Sequence, residues 1–150
     1  MSARGFTLFE LLVVLAIMAL FFGIALPRFS KALPSVQLKD AALEIAAGLR
    51  GARSRAIARN QQSLFVLDLA SRRFAISGAQ AVQDLPEGVE LSLIAPRAEQ
   101  LGDQRGAIRF FPDGSSTGGR VGIKKGVKAY YVGVDWLTGR TTIQAQSLEP

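Results

Sequence analysis

The chain of 150 residues contains no cysteine and no histidine. No disulfide can staple it, the usual Cys/His zinc sites are excluded, and so is any Ser-His or Cys-His nucleophile pair. Charge is also missing in one place, since Leu11 to Leu26 carries none over sixteen residues. One acid stands at the edge of that run. A carboxylate near the centre of a bilayer costs roughly 2.5–3.5 kcal/mol on insertion scales and usually faces a protein partner. Glu10 is therefore the most informative residue of the N-terminal third.

Phe6 to Leu26 is 21 residues, which as a helix would measure about 32 Å at 1.5 Å per residue, long enough to span a bilayer. Two conventional readings of such a segment are a secretory signal, with Gly23-Ile24-Ala25 as a small-x-small cleavage site, and a plain signal anchor. The acid at position 10 has no use in a signal peptide. Arg4 lies on one side of the span and Arg28 and Lys31 on the other, so the positive-inside rule gives no orientation.

The order Gly5-Phe6-Thr7-Leu8-Phe9-Glu10 before the apolar run resembles the N-terminus of type IV pilins and type II secretion pseudopilins. The resemblance implies that a prepilin peptidase cuts after Gly5 and that Phe6 becomes N-methylated. It further implies that Glu10, then the fifth residue, pairs with the N-terminal amine of a neighbouring subunit during filament assembly. In lipid both an isolated carboxylate and an isolated ammonium are poorly solvated, so their meeting offsets two penalties together.

The formal net charge is +6. From Arg28 to Arg59 seven basic residues face only Asp40 and Glu44, whereas Asn60 to Pro150 holds ten basic and nine acidic residues. The positive excess thus belongs to the stem, where lipid headgroups, acidic filament neighbours or DNA could meet it. Pro27 is expected to interrupt the helix, and Pro34 to do so again. Beyond Pro34 a helical period resumes in Leu38, Ala42, Ile45, Leu49, Ala52 and Ala56, with Lys39, Glu44, Arg50, Arg53 and Arg55 off the stripe. Such a stripe needs a cover, and the small residues Ala46, Ala47, Gly48 and Ala52 suit the close approach of a sheet.

After Asn60 the pattern shortens to strands: Ser63 to Leu69, Arg72 to Ser77, Gly88 to Ile94, Ala107 to Phe111, a strand with Val121 and Ile123 on one face, and Arg140 to Gln146. Tyr130, Val132, Val134 and Trp136 alternate and are expected to share a buried face. Leu137-Thr138-Gly139 suits a short hairpin loop with the glycine at positive φ. The run Pro112 to Gly119 is expected to be an exposed, mobile hairpin loop. It lacks the Gly-Lys-Ser/Thr ending of a phosphate loop, and Asp113 with Ser115 and Thr117 is a thin set for calcium. Ser115 and Ser116 have no histidine to serve as base. Arg72-Arg73 reads as a solvated turn.

Phe111-Pro112-Asp113-Gly114-Ser115-Ser116, with two glycines beyond it and a late Val134-Asp135-x-Leu137-Thr138-Gly139-Arg140, resembles the GspH/FimT branch of pilin-like proteins. The fold implied is α+β and pilin-like: a long N-terminal hydrophobic helix, then an antiparallel β-sandwich-like domain packed on the amphipathic half of the helix. The division expected is a leader at 1–5, a membrane and filament-core helix at 6–26, an amphipathic stem at 27–60 and a periplasmic β domain at 61–150. The resemblance implies a minor pseudopilin near the tip of the periplasmic pseudopilus of type II secretion, held by the inner membrane with its C-terminal domain in the periplasm. Its partners would be the other minor pseudopilins, the major pseudopilin, the prepilin peptidase, and secretin or secreted cargo. No enzymatic activity, cofactor or metal is expected. The alternative is a FimT-like minor type IV pilin that binds DNA or primes pilus assembly. DNA-binding members tend to carry Gly-Arg-x-Arg near the C-terminus, and Gly139-Arg140-Thr141-Thr142 lacks the second arginine.

Overall fold

The computed structural model describes residues 8–29 and 34–147, with side chains described for 8–18 and 36–147. Two compact units divide between Leu33 and Pro34. The first contains helix α1, Leu8–Phe29. Among its described side chains, 8–18, all but Glu10 are apolar: Leu8, Phe9, Leu11, Leu12, Leu15, Ile17 and Met18 are all at least half exposed. A helix hydrophobic all round has its apolar surface satisfied by lipid or by other helices. Among the described residues no helix is long and apolar enough to cross a membrane. The span expected from Phe6 to Leu26 reaches beyond the described side chains at both ends.

Pro27 does not end this helix, which continues to Phe29. Proline's φ is compatible with the helix; it removes one N–H and crowds the carbonyl four residues back, and here that occurs within three residues of the end, where little helix remains to be disturbed. Pro34 likewise does not interrupt a helix. It opens the second, α2, Pro34–Arg59, at the position where a missing N–H costs nothing because that donor has no intrahelical acceptor.

The second unit joins α2 to two four-stranded antiparallel sheets. The strands are β1 (Ser63–Asp68), β2 (Arg73–Ile76), β3 (Val82–Asp84), β4 (Glu90–Ile94), β5 (Arg105–Phe110), β6 (Gly119–Lys125), β7 (Lys128–Val134) and β8 (Thr141–Ser147). The first sheet has the order β3-β2-β1-β5 and the second β4-β6-β7-β8. Alternation places Ser63, Phe65 and Leu67 inward along β1. In register, Phe65 lies opposite Ile76 on one side and Ile108 on the other. In the second sheet the inward row runs Leu93, Val121, Val132, Ile143.

Helix α2 packs on strands of both sheets. Leu38, Ala42, Ile45, Leu49, Ala52 and Ala56 are buried, as the spacing predicts, and Ala41 and Ala46 join them, while Lys39, Glu44 and Arg50 stay exposed. Ala47 also faces out, so the close approach occurs at Gly48. A Cβ there would stand 2.6 Å from Phe74 Cε2 and 2.9 Å from Phe65 Cε2. Those two rings stack with centroids 5.0 Å apart. Each fully buried side chain of this size contributes about 1.5–3 kcal/mol, so the single cluster shared by α2 and both inner faces dominates the stability of the unit.

Three expectations are corrected. Trp136 is 66% exposed, because β7 ends at Val134 and the period-two pattern ends with it. The run Pro112 to Gly119 is not a hairpin, since it leaves β5 in one sheet and enters β6 in the other. It is also not an exposed loop: Gly114, Ser116 and Gly118 are buried. Of the Arg72-Arg73 pair, only Arg72 lies in the turn, with φ 52; Arg73 begins β2 and is ion-paired with Asp84 of β3.

Candidate functional site

Glu10 lies in the first turn of α1 among exposed leucines, valines and a phenylalanine. A carboxylate at that end of a helix is favoured by the partial positive charge of the unsatisfied N–H groups. Gly5 and Phe6 lie outside the described residues. Pro27 is within α1, as given above.

The two C-terminal motifs, separated by some twenty residues in sequence, meet in space. Asp135 opens the turn after β7: its Oδ1 accepts hydrogen bonds from the N–H of Leu137 (3.1 Å), the N–H of Thr138 (2.8 Å) and the Thr138 hydroxyl (2.8 Å). Those bonds, with the Thr138 N–H foremost, hold the Asp135 carboxyl below its usual range. The turn closes when the Gly139 N–H donates to the Asp135 carbonyl at 2.9 Å. Gly139 sits at φ 62, as expected of that loop. From the other motif, the Ser116 N–H donates to the Trp136 carbonyl at 2.8 Å and the Ser116 hydroxyl to the Asp135 carbonyl at 3.1 Å. Arg53 of α2 reaches both, donating from Nε to the Gly114 carbonyl at 3.0 Å and lying against Gly139. One helix side chain therefore fastens the inter-sheet crossing to the β7–β8 turn.

This geometry leaves the hydroxyls with structural work. Ser115 donates from Oγ to Asp113 Oδ1 at 2.6 Å, and Ser116 accepts from the Gly118 N–H at 3.0 Å. The Ser115 hydroxyl and N–H together hold the Asp113 carboxyl below its usual range. Among the described residues no group of three or more acidic side chains is placed to hold a metal ion.

One buried pair was not visible in the sequence. Glu99, 5% exposed, follows Pro96 in a short 3-10 turn, Arg97–Glu99, and receives Arg109 of β5 through Nε at 2.8 Å and Nη2 at 3.3 Å. Arg109 also donates from Nη1 to Gln62 Oε1 at 2.9 Å. The Glu99 hydrogen bond raises the arginine above its usual value. The two-pronged contact pins the β4–β5 connection to the first sheet. Only the i, i+10 distance in sequence linked the two residues, and no local pattern encodes that.

Residues 41–139 match the family described as type II transport protein GspH, and residues 1–26 match the prokaryotic N-terminal methylation motif. The type II secretion system protein H of Xanthomonas campestris pv. campestris is 36% identical over 136 residues, 91% of this chain and 80% of that protein. Among solved structures, the minor pseudopilin EpsH from the type 2 secretion system of Vibrio cholerae superposes with a TM-score of 0.54 at 16% identity, covering 74% of this chain and 97% of that one. The type IV minor pilin FimU of Pseudomonas aeruginosa superposes equally well, at 0.54 and 18% identity over 75% and 100% of the two chains. At such identities the likeness speaks for the fold alone. The family match covers about two-thirds of the chain, takes in most of α2, the strands β1 to β7 and the Pro112 to Gly119 crossing, and ends in the β7–β8 turn at Gly139. The chain belongs to the GspH family of type II transport proteins.

Proposed function

We propose that the chain is a minor pseudopilin, a structural subunit near the tip of the periplasmic pseudopilus that drives type II protein secretion. The observation that carries this reading is the family match over residues 41–139, joined in one chain to the methylation motif at residues 1–26. In this reading α1 is a single-pass anchor in the bacterial inner membrane, and the α2–β unit stands in the periplasm. A prepilin peptidase removes residues 1–5 by cutting after Gly5, and Phe6 is then N-methylated. Extraction from the membrane moves α1 from lipid into a bundle of like helices, which satisfies the all-round apolar surface of Leu8 to Met18 without exposing it to water. Glu10 meets the amine of a neighbour's first residue, and that ion pair sets axial register. The chain catalyses nothing of its own; other minor pseudopilins and the major pseudopilin are its partners, with secretin or cargo beyond them.

The pilus reading draws on the fold shared with FimU, which EpsH shares to the same degree, and on a methylation motif that does not separate pilins from pseudopilins. Deleting the gene and restoring it in its native host tests the proposal: secreted proteins should accumulate in the periplasm on deletion, with twitching and DNA uptake unchanged. Unimpaired secretion would overturn it. Mass spectrometry of the purified protein should find a methylated Phe6 as the first residue.

A further inference from the structure

A cleft of about 350 Å³ lies between the C-terminal half of α2 and the β7–β8 turn, lined by Arg50, Arg53 and Ser54 on one side and Thr138 to Thr141 on the other. Three guanidinium groups from two separate elements line it, and no carboxylate does. Among the described residues none of the three has an acidic group within ion-pairing distance. Arg53 is fixed there by its bond to the Gly114 carbonyl. Thr141, on the cleft wall, has a buried hydroxyl oxygen with no hydrogen-bond partner among the described residues.

We propose that this cleft binds an acidic side chain presented by a neighbouring subunit, the carboxylate taking charge-assisted hydrogen bonds from Arg50 and Arg140. The proposal rests on the reading of the chain as a filament subunit and names the chemistry of one contact. A single carboxylate fits better than a nucleic acid. Asp113 and Asp135, on the loops that meet beside Gly139, are exposed negative charges that would oppose the successive phosphates of a polyanion. Asp135 commits its Oδ1 to the Thr138 turn and feels the charge of Arg140 as well, at a separation beyond that of an ion pair.

The test uses the full-length chain in its native host. Because the protein has no cysteine, Ser54→Cys carries a thiol-reactive photocrosslinker at one defined place on the cleft wall. We expect capture of another pseudopilin, with an Asp or Glu next to the crosslinked residue. Arg50→Glu with Arg140→Glu should lower the yield about tenfold or more, since like charges are then opposed, while the double lysine variant should retain most of it. Arg53 is left untouched because it also supports the loop. An Asp or Glu to Arg change in the captured partner should restore the yield to the double glutamate variant. Capture insensitive to charge reversal, or no restoration by the swapped partner, overturns the proposal. So does wild-type binding of a duplex DNA probe at physiological salt that the double glutamate variant abolishes. If deletion of the chain stops secretion and charge reversal leaves secretion and capture intact, the cleft assignment fails and the secretory role stands; if deletion leaves secretion intact, the role itself fails.

Discussion

Gly139 lies so close to the Gly114 carbonyl oxygen that a Cβ on it would collide with that atom. Backbone from the turn after β7 here meets backbone from the crossing between sheets, with the Arg53 side chain against both. No residue but glycine fits, for two reasons that can be separated.

Gly139→Ala meets both the left-handed φ of 62 and the collision; it should cost about 2–4 kcal/mol. Gly126, with φ 59 and nothing within 4 Å of the place a methyl would take, carries the backbone penalty alone. Gly126→Ala should therefore cost distinctly less. Chemical denaturation of the full chain in detergent micelles measures the two, and equal losses would refute the contact.

A second pair lies on α2. Alanine is favoured over glycine in a helix interior by about 1 kcal/mol. At Gly51 the nearest atom to an added Cβ is Ile76 Cδ1 at 3.4 Å, so Gly51→Ala should raise stability by up to about 1 kcal/mol. At Gly48 the stacked rings of Phe65 and Phe74 occupy the space, so Gly48→Ala should lower it by about 1–3 kcal/mol net. Thermal melting followed by circular dichroism distinguishes the two signs.

Acid should weaken the β7–β8 turn. The hydrogen bonds from Thr138 and Leu137 lower the Asp135 carboxyl from its ordinary 3.8. A carboxyl depressed in the folded state contributes stability that is fully present above its unfolded value and is lost as pH falls through the folded one. Melting temperature should thus decline below about pH 4, and Asp135→Asn, which keeps an acceptor but cannot titrate, should decline less steeply. Asp68 and Asp113, also lowered by bonds from Ser71 and Ser115, leave a residual slope in the variant. Identical acid slopes in the two proteins would contradict the assignment.

Glu10→Val should leave the precursor inserted and cut after Gly5, yet poorly incorporated. Pelleting of sheared pseudopili, with immunodetection of this subunit against the major pseudopilin, gives the ratio. A normal ratio together with normal secretion would remove the register role of the carboxylate.

The sequence displayed those features that depend on local periodicity. The stripe from Leu38 to Ala56 was legible because the helix repeats every 3.6 residues and its buried face is continuous. Val121 with Ile123, and Tyr130 with Val132 and Val134, were legible by alternation. Trp136 continued that alternation on paper, but Asp135 captures the next two N–H groups and turns the chain, so the indole lies outside. The Pro112 to Gly119 run was misread because turn residues announce a change of direction without saying which sheet receives the next strand. The small exposed β3 and the Glu99–Arg109 contact gave no signal at all: the first has no buried face, and the second exists only once the β4–β5 connection folds onto β5. At the N-terminus the order of Gly5, Phe6 and Glu10 pointed to pilin-like proteins in general, matching the methylation motif, whereas the runs around Gly114 and Gly139 pointed to the GspH branch, whose match reaches the joined loops.

The alanine-rich seating of α2 has a mechanical consequence. Because the helix lies against strands of both sheets and close-packed interiors transmit strain, traction along its axis is resisted by many contacts sheared at once. Peeling them one by one would be far easier. A subunit hauled by its stem would then deliver the whole β unit as a rigid piston head, with little of the stroke lost to internal stretching.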